Sequence, residues 1–397
     1  MSFKLTNSSL LSEGFTSQVS VLNLLDFCKG FALTLILLYH YQTILWFGWQ
    51  GVPIFIVLSG LGLTYSCLRK KESISWKQWY LKRAKRILPA YWLVVLFGFL
   101  AMVSMHMVGL TVELRRFTIQ TIFDLLLFRN FYFKTIAAPP NVPLWFVPMI
   151  ISFYLVFPCL YTQLLKGESV RRYQVILLVS ATVEFIYRAI SLYYLDGLPF
   201  SYNLVVGKLS LSGLPLDKLG DNFPFQGFVP FGFFPSVVGE FMLGMTGATF
   251  LFKNPKTFHK ILLNPWMGIT GVFIWLCGTF LLKLGLWGWV FSDFVIALGL
   301  ILWVVNLAQV FQHRLPAVFE RISQLGKNSY YIYLSHGIFI YISETVETKF
   351  LDNTNLLNLL EIKVCMLLFI IIGTGISSWL VMKFDRYKSI KLIKPHA

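Results

Sequence analysis

Two basic side chains interrupt an otherwise apolar stretch near the N-terminus, CKGFALTLILLYH (28–40): Lys29 and His40. They stand eleven residues apart, which on a helix is three turns plus ~20°, so both project from one face. The rise between them is about 16 Å. An ionisable group inside a bilayer is costly unless it pairs or faces water, and so marks a functional position by default. Histidine is also the side chain suited to moving protons near neutral pH. The structural alternative is a histidine bonded to a neighbouring helix and a lysine reaching for the headgroups. Spacing alone leaves both readings open.

A second concentration of charge follows in LRKKESISWKQWYLKRAKRILPAYW (68–92), where Lys82, Arg83, Lys85 and Arg86 fall just before Pro89. Pro89 is expected to open the third apolar helix. Arg83 and Arg86 are three apart and share a helix face. Such a patch binds anionic lipid or the phosphates of a soluble ligand, and composition does not choose between them. Further along, Glu184 and Arg188 have the four-residue spacing of an internal ion pair. Glu240 in VVGEFMLGM and Asp293 in WVFSDFVIALG lie at roughly the depth of His40; each is read either as orienting that histidine or binding acceptor hydroxyls, or as an interhelical hydrogen bond. His336 in YLSHGIF is read as packing or as assistance to the same chemistry. His106, His259, His313 and His396 fall at helix ends, loops or the tail and are read as incidental. The five cysteines are scattered with no C-x-x-C, so neither a disulfide framework nor a metal site is expected.

The elements that must carry these residues are helices crossing a bilayer. Of 397 residues 56% are hydrophobic and 13% charged, against about a quarter charged in a soluble domain. Ten apolar windows are long enough to span: 27–46, 51–68, 90–110, 144–165, 175–195, 232–252, 266–284, 286–307, 328–346 and 362–383. The expected fold is all-α and polytopic, with about ten transmembrane helices. Placing the N-terminus in the cytoplasm puts 23 of the 34 Lys and Arg on that side and nine on the other. This is the positive-inside pattern, and it sets both termini in the cytoplasm. The net charge of +16 is therefore a topology signal; the expected contact is the lipid bilayer and not nucleic acid. Met1 to Ser20 is polar and reads as no removable signal peptide. The expected organisation is a cytoplasmic arm over 1–26, one transmembrane domain over 27–383 and a basic cytoplasmic tail over 384–397. Between spans, FTIQTIFDLLLFRNFYF (117–133) reads as a helix lying at the outer interface, and the Gly-, Pro- and aromatic-rich 196–231 as a long outward loop.

Four stretches in succession, LDFCKGFALTLILLYH, GVPIFIVLSGLGLTY, YLKRAKRILPAYW and NSYYIYLSHGIFIY, resemble the signatures of the acyltransferase-3 family. The resemblance extends over essentially the whole chain. It implies a bacterial cytoplasmic-membrane enzyme that takes acetyl or another acyl group from cytoplasmic acyl-CoA, without a metal. The acceptor it implies is a glycan, either a polysaccharide or a lipid-linked oligosaccharide, and glycan-synthesis enzymes are the implied partners. By the resemblance His40 is the catalytic histidine, Lys29 stands where the family carries arginine, and Arg83 and Arg86 bind the donor. Lysine keeps the charge but loses the fork that grips phosphate. Ser59 and Gly60 match a signature read as close helix packing. The chain departs again in LWFVPMIISFY, where Ile151 stands six residues after Trp145 in place of a family glutamate. Glu240 matches an acidic position of the family, Asp293 is the other candidate acid, and His336 matches a position in the ninth helix.

Two functions remain. In the first, an O-acyltransferase, His40 deprotonates the acceptor hydroxyl or carries the acyl group itself, and the outer loops shape the glycan site. In the second, the chain exports a glycan or acylated intermediate without covalent chemistry, since buried charges also serve transport paths. The absence of visible inverted repeats weighs against export, and a receptor or scaffold is the blandest reading.

Overall fold

A computed structural model describes residues 5–41, 45–70, 73–110, 113–131, 133–136, 138–165, 170–194, 230–350 and 356–393. Every regular element among them is helical: α1 Leu5–His40, α2 Gly51–Leu68, α3 Trp76–Met107, α4 Leu114–Leu125, α5 Phe133–Ile136, α6 Phe146–Leu165, α7 Val170–Tyr194, α8 Val238–Lys253, α9 Pro255–Leu262, α10 Pro265–Leu281, α11 Leu286–Arg314, α12 Pro316–Lys327, α13 Ser329–Phe350 and α14 Leu356–Ile393. Helices are what long apolar runs must form in lipid, because each backbone N–H and C=O then finds its partner within the segment. Leu155, Leu178, Phe273 and Ile371 are exposed, as a lipid-facing surface requires.

Eight of these helices are long and apolar enough to cross a bilayer, within α1, α2, α3, α6, α7, α10, α11 and α14. The other two expected windows are helical as well. Helix α8 has 16 residues, because Pro230–Gly232 and Phe234–Val237 before it form 3-10 turns. Helix α13 carries Glu344, Glu347 and Lys349 in its last turns. The polar segment expected as an arm is helical from Leu5 and continuous with the rest of α1. Most of the 196–231 loop lies outside the described residues.

The chain forms two compact units. The first comprises residues 1–74, 153–226 and 233–327; the second comprises 75–152, 227–232 and 328–397. In the first unit, glycines let backbones touch. A Cβ on Gly60 of α2 would meet the carbonyl oxygen of Phe241, and one on Gly244 of α8 would meet that of Val57. This is the small-residue crossing of membrane helices, and it gives Gly60 the packing role expected of it. Helices α1 and α12 cross in the same way, Gly30 against Ile322 and Gly326 against Asp26. In the second unit α13 packs on α14, and α3 on α4, α13 and α14.

Pro89 does not open α3. The helix starts thirteen residues earlier at Trp76, with the proline in its interior. WKQWYLKRAKR is composed largely of good helix formers, so the helix begins where they do. The basic patch is therefore helical surface.

Candidate functional site

In the first unit, α1 runs without a break through Lys29 and His40, which is what their shared face requires. Lys29 Nζ donates to Asp26 Oδ1 at 3.0 Å, with the two side chains 36% and 32% exposed. An ion pair that open contributes at most about 1 kcal/mol, so it leaves Lys29 available to another anion. The close crossing at Gly30 and Gly326 fixes the backbone beside it. His40 is half-buried at the last position of α1, its ring edge-on to that of Tyr39 at 5.2 Å.

Four ionisable residues from three helices of this unit converge. Arg188 of α7 is fully buried and donates from Nη1 to Asp293 Oδ2 of α11 at 2.7 Å. Its Nε and Nη2 donate to the Trp289 carbonyl at 3.0 and 2.5 Å, and Nη1 also to the Ser236 carbonyl at 3.2 Å. Glu184, one turn before Arg188, accepts instead from the Gly239 N–H at 2.7 Å. Glu240 is the next residue, in the first turn of α8, and is fully buried. Both its carboxyl oxygens are buried with no hydrogen-bond partner among the described residues, next in the chain to the Gly239 N–H that Glu184 holds. Ser292 Oγ donates to Asp293 Oδ1 at 3.1 Å, and Asp293 is the cluster's one partly open member, its side chain 17% exposed. Trp289, whose carbonyl the arginine holds, stacks its ring on Trp49 at 6.0 Å. The structure thus joins Glu240 and Asp293, the two acids singled out in the sequence, through Glu184 and Arg188.

The second unit holds Arg83, Arg86 and His336. The Arg83 guanidinium lies over the Trp79 ring at 5.5 Å, which restrains the side chain. Lys82, Lys85 and Arg86 are exposed beside it. The Tyr331 hydroxyl donates to Asp385 at 2.7 Å. His336 is fully buried in α13. Its Nδ1 is 2.7 Å from the Tyr333 carbonyl oxygen. A carbonyl only accepts, so Nδ1 carries a proton. The Tyr333 hydroxyl in turn donates to the Pro143 carbonyl.

One buried pair in this unit was not anticipated. Arg129 grips Asp124 through two hydrogen bonds, at 2.6 and 3.0 Å. It also donates to the carbonyls of Ile136, Ala138, Asn141 and Val142 at 2.8–3.3 Å. Asn130 donates to the carbonyls of Trp145 and Gly232 at 2.8 and 2.7 Å. Burial works against charge on Arg129, but the Asp124 carboxylate outweighs it and raises the guanidinium above its ordinary range. The expected interfacial helix is therefore the twelve residues of α4 followed by a folded knot. The available signal was an arginine and an aspartate five apart in an apolar run. Among the described residues no group of three or more His, Cys, Asp or Glu is arranged to hold a metal ion.

A family model described as an acyltransferase domain matches residues 22–382. The peptidoglycan O-acetyltransferase OatA of Listeria monocytogenes is 30% identical over 156 residues, covering 36% of this chain and 24% of that protein. The chain thus spans about a quarter of that relative's length. No solved structure matches.

Proposed function

From its membership of the acyltransferase-3 family and its membrane-crossing helices, we propose that this multi-pass membrane acyltransferase is an O-acetyltransferase of the bacterial cytoplasmic membrane. It moves an acetyl group from cytoplasmic acetyl-CoA to a hydroxyl of a cell-surface or exported glycan. The observation that carries the reading is the unbroken α1, which sets Lys29 and His40 on one helix face in a segment that the family model covers. The acetyltransferase activity of the Listeria relative agrees with it in kind.

The donor's chemistry fits the residues present. Its phosphates call for exposed, forked or mobile cations, and Lys82, Lys85 and Arg86 supply three within one stretch of α3, beside the half-buried Arg83. Arg83 and Arg86 take the bidentate contacts, and Lys29 adds charge on α1. The reaction is an exchange: the hydroxyl oxygen bonds the acyl carbon, the carbon–sulfur bond breaks, and the hydroxyl proton ends on the departing thiol. His40 is the group that takes that proton, or the nucleophile that carries the acyl group between the two partners. Glu240, Asp293 and His336 are assigned to acid–base support and acceptor binding. Glycan-synthesis enzymes would supply the acceptor.

The test uses full-length protein in lipid with radiolabelled acetyl-CoA and a surface-glycan extract, wild type beside His40→Ala. Label should reach glycan with the wild type and not with the variant. If neither folded protein releases CoA from acetyl-CoA or another acyl donor, the reading is wrong and export of a glycan becomes the function to test.

A further inference from the structure

Arg188 and Asp293 offset one another at 2.7 Å, which leaves the two glutamates of the cluster in the first unit. Of their four carboxyl oxygens, Glu184 Oε2 accepts from the Gly239 N–H. Glu184 Oε1 and both Glu240 oxygens are buried and receive no hydrogen bond from a donor elsewhere in the described chain. The Gly239 N–H that Glu184 holds belongs to the residue before Glu240, so the two buried carboxyl groups are neighbours. Ionised carboxylates only accept, so a hydrogen bond between two of them needs a proton on one. Two like charges in contact inside a buried site do not both ionise.

We propose that Glu184 and Glu240 share one proton and form a proton-binding site built between α7 and α8. The charged groups acting on the pair are Arg188 from α7 and Asp293 from α11; α2 and the stretch of α6 from Phe153 bring no charged residue. The proton resides on Glu184 Oε1. Glu184 Oε2 keeps the Gly239 N–H, and the negative charge then falls on Glu240 in the first turn of α8, where the helix dipole favours it. Sharing the proton removes one unit of negative charge from a cluster in which three carboxyls surround a single guanidinium. The site is independent of the acyl-transfer reading, and failure of a transferase assay leaves it standing.

Infrared spectroscopy of the full-length protein in lipid tests this directly. Ordinary carboxyls are ionised at pH 7, so a protonated-acid carbonyl band there reports an unusual one. Wild type should show such a band. Glu184→Gln and Glu240→Gln should each abolish it, because the remaining carboxyl ionises beside Arg188. Both variants should stay folded, since the new amide donates an N–H to the surviving carboxylate. Should either fail to fold, Asp at the same position should shift the band. Absence of the band in wild type overturns the proposal, as does a band that both glutamine variants leave in place or that an aspartate variant leaves unshifted.

Discussion

Arg188 forms its ion pair with Asp293, 105 residues along the chain on another helix, at 2.7 Å. Glu184, which has the spacing of its natural partner on α7, is hydrogen-bonded to the Gly239 N–H. The cross-helix pair ties α7 to α11 through a guanidinium that also holds the Trp289 and Ser236 carbonyls. Removing one partner of a buried pair costs about 3–5 kcal/mol, because the other charge is left buried and uncompensated. Arg188→Ala should therefore lower the thermal midpoint strongly, and Asp293→Asn less, since Asp293 keeps some contact with solvent. Adding Asp293→Asn to Arg188→Ala should cost less than the sum of the two. Melting of all four proteins in lipid checks this, and strict additivity would rule the pair out as a coupling between helices.

Two glycines two residues apart on α2 should respond with opposite signs. A Cβ on Gly60 would meet a backbone oxygen of α8, and backbone cannot rotate away. On Gly62 it would meet nothing within 4 Å. Overpacking costs about 1–3 kcal/mol, whereas alanine for glycine in an unobstructed helix gains roughly 0.5–1 kcal/mol. Gly60→Ala should thus destabilise the protein and Gly62→Ala should leave it unchanged or firmer, read as thermal midpoints in lipid.

Apolar run length made most of the fold readable, because lipid allows so few backbone solutions. The placement of Lys29 and His40 on one continuous helix was readable for the same reason. The partners of Arg188 were not. Local spacing pointed to Glu184, and only the crossing of α7 with α11 brings Asp293 to the guanidinium. The start of α3 lies earlier than expected because Pro89 reads as a helix opener, while the helix formers before it carry more. Arg129 falls inside the 117–133 stretch that reads as an interfacial helix. Its burial depends on four carbonyls from residues 136–142, which no periodicity announces.

Arg129 should hold residues 113–145 of the second unit together. Its guanidinium serves six hydrogen bonds, two to Asp124 and four to carbonyls. Arg129→Ala should destabilise by about 3–5 kcal/mol and open this segment to limited proteolysis. Arg129→Lys keeps charge without the fork and should fall between. Equal cleavage rates in all three proteins would show that the knot is incidental to the segment.

Donor binding and chemistry should separate by residue under the acyl-transfer reading. Arg83 and Arg86 would meet phosphates at the far end of the donor from the reacting carbon. Hydrogen bonds to charged groups are worth about 1.5–3 kcal/mol, and losing one raises KM for acetyl-CoA roughly ten- to a hundredfold. Arg83→Gln and Arg86→Gln should do that with kcat little changed, because an interaction equal in ground and transition states affects binding alone. The defect should shrink as salt rises, since screening weakens the wild-type contacts first. His40→Ala should leave donor binding intact and cut kcat by about a hundredfold or more. Lys29→Arg should tighten the donor, because a fork replaces a point charge. Steady-state kinetics at two ionic strengths distinguishes these outcomes. If Arg83→Gln lowers kcat as far as His40→Ala and leaves KM alone, the phosphate assignment fails and the basic face of α3 belongs to the lipid surface.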